Sequence, residues 1–283
     1  MCQTHIPTLS LADETLKNVY HFFVNKNGVL GTCAVEAFAF VNSTNPLSNE
    51  LLPDIQFHYL SATLHEQYLL NVNMSSNIIK RLLDAFKNGF TCCAVPTLLH
   101  PFSRGTVRLR SSDPFDHPII EPNYLSDERD VRALTESCKL FMKICQTEPY
   151  SNCISRLLCD IIVDNPCSMN DNPDGYWSYF IRHCAVTLYH PIGTCKMSSD
   201  INDEMSVTNE RGIVRGVNKL RICDASIMPS LPSGNTNIPT ILIAERISDF
   251  IKQNRRVLND KQLRQDHFVE MYDEKINRNL ITN

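Results

Sequence analysis

Tyr189-His190-Pro191-Ile192-Gly193-Thr194-Cys195-Lys196-Met197, then Asp224-Ala225-Ser226-Ile227-Met228-Pro229-Ser230 and Asn235-Thr236-Asn237-Ile238-Pro239-Thr240, form the stretch of this chain from which the rest is best read. His190 cannot lie inside a helix, because Pro191 breaks one and Gly193 admits a turn. Imidazole has a reference pKa of about 6.5 and suits proton acceptance near neutrality. Taken alone, a histidine in such a segment is ordinarily structural or solvated. Leu220 to Cys223 predicts a short strand ending at Asp224. That position often offers a carboxylate to a ligand hydroxyl, and as often caps a turn. A helix is predicted over 240–252, with Asn237 in the turn before Ile238-Pro239-Thr240. Proline in a first turn gives up no donor, and asparagine there can cap the helix or face a ligand. The free N–H groups of a helix start carry partial positive charge and suit a group that becomes anionic.

Outward from this segment, apolar spacing predicts helices over 13–25 (capped by Ser10 and ended by Asn27-Gly28), 76–87 (ended by Asn88-Gly89) and 126–146 (capped by Ser126). Gly175 to His183 is predicted helical as well. Strands are predicted from Val35 to Val41, Ile55 to Leu60, Cys92 to Leu99 and Gly105 to Arg110, the last with one wet face. Residues 111–123 read as loop, and 148–173 as irregular structure with one short helix. The polar stretch 253–283 reads as a solvated helix or frayed tail.

The bulk properties narrow the function. With 283 residues, 43% of them apolar, the chain can bury a sizeable core. Its net charge of −4, from 27 basic and 31 acidic residues without long blocks of either sign, argues against nucleic acid as a partner. No apolar run is long enough for a membrane span, and residues 1–10 lack the pattern of a secretory signal. Twelve cysteines include no Cys-x-x-Cys pair, so no metal site is expected. Buried free thiols are the expectation, and a disulfide among Cys153, Cys159 and Cys167 is the alternative. Asn42 and Asn73 head glycosylation sequons. Nine glycines form no Gly-x-Gly-x-x-Gly and no Gly-x-x-x-x-Gly-Lys-[Ser/Thr] pattern, so no local phosphate cradle is expected.

The order and spacing of His190 to Met197, Leu220 to Pro229 and Ser233 to Glu245 resemble the C-terminal region of glucose–methanol–choline (GMC) oxidoreductases. Ser103 to Arg110, Ser112 to Asp116 and Pro122 to Ser126 look like the start of the same module. Glu36 to Val41 and Pro53 to His58 are similar to the substrate domain of the insect glucose dehydrogenase and ecdysone oxidase branch. The resemblance covers about residues 10–252. It implies an α+β fold: a substrate domain with an antiparallel sheet and flanking helices, plus the closing elements of an FAD-binding α/β domain. The implied divisions are 1–183 for substrate binding (the C-terminal module beginning near 101), 184–252 for catalysis and closure of the FAD domain, and 253–283 for the tail.

The implied reaction is oxidation of the CH–OH group of a sugar, sterol or small metabolite, with hydride passing to flavin N5 and then electrons to oxygen or a quinone. His190 matches the residue that accepts the hydroxyl proton. Asn237 matches its partner, which is His or Asn across the family. Asp224 and Ala225 match positions near the ribityl and pyrophosphate of FAD; Pro239 and Thr240 match those at the pyrimidine edge. Ser198 stands where glycine usually follows the Gly-Thr-Cys-Lys-Met string, and Gly28-Val29-Leu30 replaces the more usual Gly-Pro-Leu. Family members are about twice as long and carry the Gly-rich turn that these residues lack. The expectation is therefore a truncated form that binds FAD weakly or not at all; the rival reading is a non-catalytic fragment or degenerate homologue without bound FAD.

Overall fold

The computed structural model describes residues 2–4, 9–10, 16–31, 35–44, 52–60, 62–63, 66–71, 74–87, 90–159, 164 and 166–255. The sequon at Asn73, the Asn88-Gly89 stop, the Ser10-proximal start of the first helix and the tail beyond 255 lie outside them. The chain divides into two compact units, Met1–Tyr189 and His190–Asn283.

The first unit is built on a five-stranded sheet. Its strands are β1 (Cys2–Thr4), β3 (Val35–Val41), β4 (Ile55–Leu60), β6 (Phe90–Leu98) and β9 (Ile154–Leu157), in the order β3-β4-β6-β1-β9. Every neighbouring pair is antiparallel. Two small sheets accompany it: β2 (Leu9–Ser10) with β5 (Ala62–Thr63), which is parallel, and the hairpin β7 (Thr106–Arg108) with β8 (Ile119–Glu121).

Alternation along a strand sends Ile55, Phe57 and Tyr59 to one face of the sheet. There they meet Leu134 and Cys138 of the Glu128–Cys145 helix and Trp177 and Ile181 of the Pro173–Cys184 helix. Ile55 and Phe57 are fully buried, and full burial of side chains of this size stabilises by roughly 1.5–3 kcal/mol each. The Ser76–Phe86 helix forms a second cluster, packing Ile78, Ile79 and Leu82 against Leu69.

Side-chain caps fix the helix starts. The Ser75 hydroxyl accepts from Ile78 N–H, and Asn172 Oδ1 accepts from Gly175 N–H at 2.9 Å. The long helix is capped by Asp127 rather than Ser126. Its carboxylate accepts from Arg129 N–H at 2.9 Å and is gripped by the Arg129 guanidinium as well.

Three expectations are corrected. Residues 220–223 form no strand, only a single bridge between Ile213 and Arg221. Gly105 to Arg110 yields three strand residues, all exposed, so Val107 and Leu109 do not form a buried face. The stretch 148–173 holds, beside a short helix at Tyr150–Cys153, the strand β9. The expectation of free thiols holds for the described cysteines, and Cys153, Cys159 and Cys167 form no disulfide, against the alternative. In two of the most deeply buried, desolvation pushes the thiol up, Cys138 to about 12 and Cys93 to about 11.

Candidate active site

The second unit is held by loop-to-loop backbone bonds around a small core of Thr208, Ile227, Met228 and Ile247. Its organising feature is the join between the segment after His190 and the turn after Asp224. Cys195 N–H donates to Ser226 O and Met197 N–H to Ile227 O, both at 2.9 Å. Gly193 precedes this join with φ 81°, and a Cβ there would stand 3.3 Å from Met228 O. Glycine therefore lets the chain both turn and approach the neighbouring backbone. Tyr189 lies in the left-handed region too, at φ 61°, which re-aims the chain immediately before His190. Lys196, in the middle of the string, pairs with Asp203 at 2.9 Å and holds that carboxyl below its ordinary range.

Asp224 is the extended residue that caps the 3-10 turn Ala225–Ile227, its Oδ1 accepting from Ser226 N–H at 2.8 Å. The carboxylate is exposed, and Ala225 is half-buried. The last helix spans 237–255, beginning three residues before the expected 240. Thr236 O accepts both Thr240 N–H (3.0 Å) and the Thr240 hydroxyl (2.7 Å), which closes the first turn over Pro239. Asn237 and Ile238, at its start, are exposed. A helix this long has uncompensated N–H groups at its first turn.

His190 is half-buried, with both ring nitrogens engaged. Thr236 Oγ1 lies 2.8 Å from Nδ1, and Asn235 Nδ2 lies 3.0 Å from Nε2. The residues brought to the imidazole are thus Asn235 and Thr236. Asn237 makes no hydrogen bond to His190 among the described residues, and neither does Asp224. The string 235–237 carries three polar side chains in a row, and the spacing alone does not say which of them turn toward the ring. No cluster of three or more His, Cys, Asp or Glu able to hold a metal exists among the described residues.

The donor and acceptor types present here suit the ring end of a flavin cofactor. A helix start offers N–H groups to ring carbonyls, and the exposed Asp224 carboxylate can accept from a ribityl hydroxyl. The 283-residue sequence contains no Gly-x-Gly-x-x-Gly pattern to accompany them.

The GMC oxidoreductase family profile matches residues 101–244. The chain is 32% identical over 233 residues to the glucose dehydrogenase [FAD, quinone] of Drosophila pseudoobscura pseudoobscura, covering 82% of this chain and 35% of that protein. It is 35% identical over 225 residues to an oxygen-dependent choline dehydrogenase of Escherichia coli, covering 80% of this chain and 35% of the relative. Among solved structures it is similar to pyridoxine 4-oxidase from Mesorbium loti, with TM-score 0.59 and 22% identity over 78% of this chain and 38% of that one. A formate oxidase gives TM-score 0.65 and 21% identity over 88% and 44%. This chain belongs to the GMC oxidoreductase family. It spans 35–39% of the length of the curated relatives it matches.

Proposed function

We propose that this chain forms the alcohol-handling part of an FAD-dependent oxidoreductase acting on CH–OH groups, with His190 as the proton acceptor. The observation that carries the reading is the imidazole held between Thr236 and Asn235, beside a helix start. Bound FAD would supply the two-electron acceptor for the carbinol hydrogen. The chain's own residues do the rest. His190 accepts the hydroxyl proton, which raises electron density on the alcohol oxygen. Asn237, at the exposed helix start, orients that oxygen, and the N–H groups of the first turn favour negative charge nearby. Asp224 and Ala225 serve the ribityl side of the cofactor; Pro239 and Thr240 serve its pyrimidine edge.

In this reading the substrate is a sugar, sterol or small metabolite alcohol. The acceptor is oxygen or a quinone, matching the printed names of relatives called oxygen-dependent and [FAD, quinone]. The first unit, through about residue 183, serves as the substrate-binding part, with 184–252 contributing catalysis. The test is His190→Ala in a longer, FAD-loaded version that joins these residues to a Gly-rich FAD-binding half. Loss of a general base is expected to lower turnover roughly 10²–10⁴-fold, while the visible absorption of bound flavin stays. Unchanged turnover would remove His190 from the mechanism.

A further inference from the structure

We infer that Thr236 is a positioning residue for His190. Its hydroxyl accepts the Nδ1 proton and so leaves Nε2 as the ring's basic nitrogen. The inference rests on the reading of His190 as proton acceptor and adds to it which nitrogen does the work and what selects it.

A neutral imidazole carries one proton, so one nitrogen donates and the other accepts. Asn235 presents Nδ2, a donor with no lone pair to offer, to Nε2 at 3.0 Å. With the Asn235 amide turned this way, Nε2 accepts and the ring proton sits on Nδ1. There it meets Thr236 Oγ1 at 2.8 Å, which can accept it. The choice of tautomer follows from the partner of the other nitrogen, as is general for histidine.

The two partners differ in how firmly they are placed. Thr236 is 9% exposed, and its carbonyl is fastened by both the N–H and the hydroxyl of Thr240. A β-branched side chain on that anchored backbone has little rotamer freedom. Asn235 is exposed, and no second hydrogen bond to its side chain is present among the described residues. The buried, anchored partner holds the proton side of the ring, and the exposed, releasable partner occupies the basic side. An incoming alcohol O–H can replace the Asn235 N–H at Nε2 without disturbing Thr236. The proton then passes from the alcohol oxygen to Nε2, leaving imidazolium with Nδ1–H still donated to Thr236.

The experiment needs neither turnover nor cofactor. Two-bond 15N–1H correlation spectra of the 283-residue chain, in mildly alkaline buffer where imidazoles are neutral, report which nitrogen of each histidine is protonated. His190→Gln assigns the resonance. The expected result is a pyrrole-like Nδ1 and a pyridine-like Nε2 in the wild type and in Asn235→Ala and Thr236→Ser. In Thr236→Val, which has the same shape without an acceptor, the Asn235 amide can turn its oxygen to the ring and the Nε2–H form gains population. A wild-type ring protonated on Nε2 overturns the inference, as does Thr236→Val with an unaltered Nδ1–H ring. If Thr236→Val fails to fold, the wild-type and Thr236→Ser spectra still decide it. Unchanged turnover in FAD-loaded His190→Ala would instead remove the underlying reading while leaving the tautomer result intact.

Discussion

Gly193 runs at φ 81°, and the Met228 carbonyl oxygen lies 3.3 Å from where its Cβ would stand. Gly193→Ala is expected to lower the unfolding free energy by about 1–3 kcal/mol, from the left-handed backbone and the close approach together. Denaturant melts of the two proteins check this, and coincident midpoints would contradict it. The spacing of Tyr189 to Met197 made His190 legible as a non-helical imidazole. Asn237 was legible as a polar residue at a Pro-started helix. The contacts of Asn235 and Thr236 were not legible, because they depend on how the 233–236 turn rotates before the helix begins. A string of polar residues carries no periodicity to report that rotation.

Among the elements, β3 and β4 were readable because each is an apolar run bounded by turn residues, with Pro53-Asp54 marking the start of β4. β1 and β9 were not. Each has three or four residues, and they pair with each other across some 150 positions of sequence, a distance at which local pattern carries no information. The run 220–223 misled for the opposite reason: its composition is strand-like, yet no adjacent strand receives it.

The long helix makes a prediction at this scale. The Arg129 guanidinium beside Asp127 holds its carboxyl at about 2, below the ordinary 3.8. The folded value is the lower one, so the cap's contribution is present above about pH 3.8 and is lost as pH falls toward about 2. A carbon-detected NMR titration should place the Asp127 midpoint in that window, and Arg129→Gln should raise it; a midpoint indifferent to Arg129→Gln would contradict the guanidinium contact.

Asp130, buried in the first turn of the same helix, accepts from Phe102 N–H, Ser103 N–H and the Ser103 hydroxyl. Asp130→Ala strands these donors and is expected to cost about 3 kcal/mol. An unchanged denaturation midpoint would show that the 101–104 segment finds other partners.

At the scale of the molecule, the chain carries the GMC C-terminal module and spans 35–39% of the length of the curated relatives it matches. The family was legible in the sequence because its signature strings are local and ordered, whereas the two-unit division depends on long-range packing. Ile238, Ile241 and Leu242 line one side of the 237–255 helix and are exposed, at 70%, 50% and 67%. Spacing of three and four residues makes them one stripe. The 283-residue sequence also contains no Gly-x-Gly-x-x-Gly pattern. Purified alone, these residues are expected to show little flavin absorption in the visible, and a stoichiometric flavin band would contradict that.

The account as a whole is tested most directly in a longer, FAD-loaded version that joins these residues to a Gly-rich FAD-binding half, by mixing it with alcohols in the absence of oxygen and following the visible flavin band. Loss of the band on addition of a sugar, sterol or small alcohol, slowed at least a hundredfold in His190→Ala (roughly the lower end for a lost general base), is the predicted result. Bleaching at the same rate in His190→Ala, or no bleaching by any alcohol, would contradict it.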